Sequence, residues 1–155
     1  MGGDQVGTVG EIELSPNLIN VVAERARLTV DLRNTDEAAL QEAEAELAGF
    51  VEELAVSEGV TIHARRLVRF EPVTFDPAMV DCIEGHAVRL GASTRRMPSG
   101  AGHDAQMLAH VCPTAMIFTP SVDGISHNPA EYTEPRHVEL GANVLLSVLR
   151  ELAQG

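Results

Sequence analysis

Between Arg27 and Leu54 the apolar pattern changes its period, and that change limits the fold more than any other feature. In Arg27-Leu28-Thr29-Val30-Asp31-Leu32-Arg33 apolar and polar residues alternate, so Leu28, Val30 and Leu32 share one face of a strand. Further on, Leu40, Ala43, Leu47, Phe50, Val51 and Leu54 recur at helical spacing. Asn34 followed by Glu37 has the form of a capping box, and Gly59 is a natural helix stop. Upstream, Glu11-Ile12-Glu13-Leu14 alternates as a strand and ends at the turn cluster Ser15-Pro16-Asn17. Residues 60–70 read as one more strand. The predicted order is β-β-α-β, an α+β unit with one helix laid on an antiparallel sheet.

The pattern after residue 75 is different. Asp76-Pro77 is an N-cap followed by proline at the first helical position. Val80, Ile83, Ala87 and Leu90 give that helix its apolar side, and Gly91 ends it. Residues 93–97 read as a short strand. A small-residue loop, Pro98-Ser99-Gly100-Ala101-Gly102-His103-Asp104, enters a helix carrying Met107, Leu108 and Val111. Ala115-Met116-Ile117-Phe118 is wholly apolar, the type of strand buried on both faces of a parallel sheet. A polar loop over 120–136 precedes a last helix with Val138, Ala142, Leu145, Val148, Leu149 and Leu152. The expected fold is therefore α/β combined with α+β, divided as residues 1–75 and 76–155.

Composition supports a packed chain and narrows its partners. Aromatic residues are 3% of the 155 with no Trp, so the core must be built from Leu, Val, Ile and Ala. Hydrophobic residues at 45% and charged residues at 22% exclude a disordered chain. A net charge of −12 repels phosphate backbones and anionic lipid, so neither nucleic acid nor membrane is an expected partner. Cys82 and Cys112 are far apart and form no CxxC pair, which argues against a disulfide framework or a thiolate zinc site. With no leader and no apolar run long enough for a bilayer, the expectation is a cytoplasmic protein.

Six histidines are present. His63, His86, His110 and His137 read as structural or simply exposed. His103 follows small residues that allow close approach of a ligand, and it has a donor for a carboxylate or a developing oxyanion. The alternative there is a glycine turn with Asp104 capping the helix. His127, in Gly124-Ile125-Ser126-His127-Asn128-Pro129, is a plausible metal ligand, with Glu131 or Asp123 placed to orient it. Zinc needs three or four convergent protein ligands, and the chain has no HExxH, no HxD and no Glu-Glu pair in a suitable loop. Arg33 at a strand end and Asn20 in the loop before that strand are suited to gripping a carboxylate. The alternative is a surface arginine paired with Asp31 or Asp36.

Four stretches, in order, carry a resemblance. They are Ser15-Pro16-Asn17-Leu18-Ile19-Asn20-Val21-Val22, Leu28-Thr29-Val30-Asp31-Leu32-Arg33, Ser99-Gly100-Ala101-Gly102-His103-Asp104-Ala105 and Gly124-Ile125-Ser126-His127-Asn128-Pro129-Ala130-Glu131. From about Val9 onward the chain resembles the second half of the zinc-dependent allantoate amidohydrolases, N-carbamoyl-L-amino-acid hydrolases and β-alanine synthases. These lie within the co-catalytic metallopeptidase superfamily.

The resemblance implies that residues 1–75 are the latter part of a lid, or dimerisation, domain. Residues 76–155 would be the C-terminal part of a catalytic α/β domain. It implies that His127 is a metal ligand, that Asn20 and Arg33 hold the substrate carboxylate, and that Gly102 and His103 contact substrate. The implied reaction is hydrolysis of a ureido or amide C–N bond in a small molecule, with Zn or Mn in the full-length enzyme and a homodimeric or higher assembly. The HxD ligand, the bridging aspartate, the Glu-Glu pair, a further ligand histidine and the lid histidine that stabilises the oxyanion have no counterpart here. This chain alone is therefore expected to bind no metal tightly and to be inactive. The alternative reading is a non-catalytic dimerisation or binding module. A metallopeptidase of the same superfamily fits less well, because Ser99-Gly100-Ala101-Gly102-His103-Asp104-Ala105 points to the carbamoylase branch.

Overall fold

The computed structural model describes residues 4–154 and divides into two compact units that meet in sequence between Pro72 and Val73. In the first, strands β1 (Val6–Ser15) and β2 (Arg25–Arg33) form an antiparallel ribbon followed by helix α1 (Glu37–Glu58). The pairing explains why β1 is longer than its visible alternation. Val9 lies opposite Val30, but Ile12 lies opposite Leu28, because the register slips between Val9 and Glu11. Gly10 is the extra residue of this bulge, and it shifts the apolar phase from odd to even positions. Gly7, Val9, Ile12 and Leu14 thus line one face with Leu32, Val30, Leu28 and Ala26.

Helix α1 starts at Asp36, whose side chain accepts from the Ala39 N–H at 2.8 Å. Asn34, the cap expected from sequence, instead accepts from the Asp36 N–H at 2.9 Å and shapes the approach. Gly59 ends the helix at φ 64, a left-handed conformation that glycine adopts without a Cβ penalty. Leu40 and Ala43 are buried, whereas Phe50 is mostly exposed. Leu47, Val51 and Leu54 are half-buried, so the predicted stripe is covered most fully at its N-terminal end.

Residues 60–70 do not form the expected third strand, so the observed order among the described residues is β-β-α. A strand needs a hydrogen-bonded neighbour, and the two-stranded sheet does not provide one for this segment. Side chains hold it instead. Arg69 Nε lies 3.0 Å from Glu44 Oε1, and Arg69 Nη2 lies 2.5 Å from Glu37 Oε1.

The second unit is built on α2 (Pro77–Arg89) and α4 (Pro135–Leu152), with a single-turn helix α3 (Asp104–Leu108) between them. Asp76 caps α2 by accepting from the Met79 N–H at 2.8 Å, with Pro77 in the first turn. Its core is Ala87, Val144 and Val148, with Met79, Cys82, Ile83, Ala92 and Ile117 packed against it. Of the predicted α4 stripe only Val148 is buried. Leu145, Leu149 and Leu152 are each about half exposed, while Val144 and Val148 face α2. Residues 93–97 and 115–118 also lack strand partners and are not strands. The 115–118 stretch is half-buried up to Ile117 and passes close to α4. A Cβ added at Gly141 would lie 2.6 Å from Thr119 Cγ2. His110, expected on a helix, lies in the turn after α3.

Candidate functional site

The five residues singled out by sequence fall in three loops and one strand end. Asn20 lies in the exposed loop joining β1 to β2, closed at its base by the Glu24 N–H donating to the Ser15 carbonyl at 2.9 Å. Arg33 ends β2 opposite Val6. Its guanidinium grips Asp31, with Nε 3.0 Å from Oδ1 and Nη2 2.7 Å from Oδ2. This hydrogen-bonded pair holds the Asp31 carboxyl below its ordinary range. Both side chains are about half exposed, so an incoming carboxylate can compete for the fork.

Gly102 and His103 precede α3. His103 is itself the N-cap, its Nδ1 accepting from the Ala105 N–H at 3.0 Å. Asp104 is the first helical residue rather than the cap. Because Nδ1 accepts, the neutral ring carries its proton on Nε2 and can donate it outward. Gly100 and Gly102 have no positive φ, and a Cβ at either would meet nothing within 4 Å. Neither backbone geometry nor packing inside the unit calls for glycine there.

His127 sits in the loop after the 3₁₀ turn Val122–Gly124. Its φ is 55, and Asp123 in the same loop has φ 56. Left-handed backbone in a non-glycine residue costs on the order of 1 kcal/mol, so the loop holds both residues against their preference. The Glu131 carboxylate does so directly, accepting from the His127 backbone N–H at 2.7 Å. Glu131 therefore orients the backbone of His127 and not its imidazole. The ring is exposed.

Among the described residues, His127 belongs to no group of three convergent metal-ligating side chains. Among the described residues the one group of three convergent donors is Cys82, His86 and Glu151, on α2 and α4. Sequence spacing gave no sign of it, although Cys82 and His86 stand one helical turn apart on α2. Among the described residues, no helix is long and apolar enough to cross a membrane.

Comparisons with known proteins agree on a family. The model of peptidase family M20/M25/M40 matches residues 3–151. An N-carbamoyl-L-amino-acid amidohydrolase of Rhizobium meliloti is 40% identical over 149 residues, covering 96% of this chain and 36% of the relative. An allantoate amidohydrolase of Bacillus subtilis is 34% identical, covering 94% and 35%. The crystal structure of a hydantoinase/carbamoylase family amidase from Burkholderia vietnamiensis superposes with a TM-score of 0.90 at 40% identity, covering 96% and 36%. The chain thus spans about a third of the length of the relatives it matches. On the match over nearly its whole length, the chain belongs to peptidase family M20/M25/M40.

Proposed function

We propose that this chain is the C-terminal part of a metal-dependent amidohydrolase that cleaves a ureido or amide C–N bond in N-carbamoyl amino acids or allantoate-like substrates. The observation that carries this reading is the 40% identity to an N-carbamoyl-L-amino-acid amidohydrolase over 96% of the chain but 36% of that relative. Residues up to about 75 would belong to a lid domain and the rest to a catalytic domain. In that setting Arg33 exchanges Asp31 for the substrate carboxylate, and Asn20 adds a donor beside it. His103 presents its Nε2–H to the reacting carbonyl oxygen or to a substrate carboxylate. The open surroundings of Gly102 leave room for substrate against the backbone. His127 supplies one ligand of a zinc or manganese centre, whose other ligands and whose general base lie outside this sequence.

The chain by itself is then inactive. Assay with zinc or manganese and N-carbamoyl-L-amino acids should show no turnover, and measurable turnover would overturn this. The coding sequence upstream of Met1 is the companion test. In-frame HxD and Glu-Glu motifs support the reading, and an unrelated gene or a stop codon refutes it.

Self-association belongs to the same proposal. The apolar ribbon face is open, with Ile12 64% exposed and Leu28 52% exposed, and a two-stranded ribbon is marginal alone. Light scattering should find dimers or larger species. A monodisperse monomer at high concentration would remove the dimerisation part.

A further inference from the structure

The second unit holds a group of side chains that the proposed function does not use. Cys82 and His86 project from the same side of α2, and Glu151 reaches them from the last turn of α4. One sulfur, one ring nitrogen and one carboxylate oxygen all lie within 4.8 Å of one another. His86 is the best buried of the three, its side chain only 6% exposed. Its Nδ1 is 2.7 Å from Ser147 Oγ, one turn before Glu151 on α4. That contact fixes the ring and leaves Nε2 aimed at the cluster.

Nε2 has no hydrogen-bond partner there. Glu151 Oε2 is 2.9 Å away, close enough to attract a charged ring. No hydrogen bond forms across that gap, so the contact is an electrostatic approach. A buried polar nitrogen without a partner is costly, and it calls for an explanation. Cys82 Sγ lies 3.7 Å from Glu151 Oε1. Burial, and then the Glu151 charge, push the thiol above its ordinary pKa, so with no cation present the sulfur keeps its proton.

We propose that Cys82, His86 and Glu151 bind a zinc ion, with Ser147 positioning the imidazole through its other nitrogen. The donor set is one thiolate, one imidazole and one carboxylate, the mixed N/S/O set that zinc accepts. Ligands about 2.0–2.3 Å from a tetrahedral zinc stand roughly 3.3–3.8 Å apart, so the three atoms need only small shifts. Cys82 loses its thiol proton to solvent as the sulfur–metal bond forms, and the two ligand charges balance the ion. A water completes the tetrahedron. The pairing of Ser147 with His86 has the form of outer-shell support for a ligating histidine. Arg89 Nη2, 3.6 Å from Glu151 Oε2, is a competing cation. Both side chains are mostly exposed, so the arginine can swing away.

The test is a cobalt(II) titration of the full reduced chain, followed by zinc competition. One equivalent of cobalt should produce a thiolate-to-metal charge-transfer band that zinc abolishes. Cys82→Ser should lose the band, and Cys112→Ser should keep it. Glu151→Gln, on an exposed side chain, should weaken binding while leaving the far-UV circular dichroism unchanged. Ser147→Ala should lower affinity about 10- to 100-fold without unfolding α4, and Arg89→Ala should raise it. No band in the wild-type chain, a band that survives Cys82→Ser, or an affinity indifferent to both Ser147→Ala and Glu151→Gln would overturn the site.

Discussion

Arg69 reaches back across the sequence to Glu37, with Nη2 2.5 Å from Oε1, and so pins the segment after Gly59 to the first turn of α1. The hydrogen bond from Arg69, and next that from Gln41, hold the Glu37 carboxyl below its ordinary pKa. A depressed folded value means that the unfolded chain takes up this proton at higher pH than the folded one. The stabilisation is therefore whole above the ordinary glutamate range and is lost as pH falls through the depressed value. Arg69→Met should flatten this acid dependence and speed proteolysis within 60–72. Limited proteolysis across a pH series reads both, and identical profiles for variant and wild type would refute the linkage.

Two glycines in helices should respond oppositely to alanine. A methyl added at Gly49 in α1 would meet nothing within 4 Å, so Gly49→Ala should add about 0.5–1 kcal/mol through helix propensity. At Gly141 the same methyl would lie 2.6 Å from Thr119 Cγ2. Overpacking costs about 1–3 kcal/mol and cancels or exceeds the propensity gain. Thr119→Ala removes the opposing methyl, so the double variant should recover the gain. Urea unfolding of the four proteins decides it.

The buried side of α4 can be read by truncation. Val148→Ala removes a side chain packed between the two helices and should cost roughly 1.5–3 kcal/mol. Leu149→Ala, 53% exposed, should stay within about 0.5 kcal/mol in the isolated chain. A large loss at Leu149 would show that something covers that face in solution.

Gly102 and His127 separate stability from function. Gly102→Ala should be tolerated, and should stabilise by about 0.4–1 kcal/mol if its backbone suits alanine. His127→Gly relieves a left-handed residue and should gain up to about 1 kcal/mol. In a full-length enzyme carrying this segment, each should lower kcat/KM sharply. Thermal melts of this chain and kinetics of the longer protein are the two measurements. Loss of stability in both variants would mean that the loops are built for folding alone.

Local signals were legible, and partnership was not. Asp76-Pro77 and Gly59 mark helix ends by backbone chemistry that depends on neighbours in sequence, and they lie where the sequence put them. The 60–70 and 115–118 stretches have strand-like composition, but a ladder needs a second strand that a residue pattern does not reveal. The bulge at Gly10 hid half of β1, because it reverses the alternation that a period-two search follows. On α4 the leucine stripe and the valine pair are both apolar, and only packing on α2 shows which side is inside. The His103 loop was half legible. Its histidine was marked, but its capping role follows from Nδ1 meeting the Ala105 N–H. The Cys82, His86 and Glu151 group was invisible, since Glu151 joins it from a helix remote in sequence.

The uncovered ribbon face has a bearing on handling. At neutral pH the charge of −12 keeps copies apart by mutual repulsion. Near the isoelectric point of about 4.8 that barrier vanishes, leaving Val9, Ile12 and Leu28 free to meet their like. Mild acidification, with the helices still intact, should then turn a clear solution cloudy, and raising the pH should clear it.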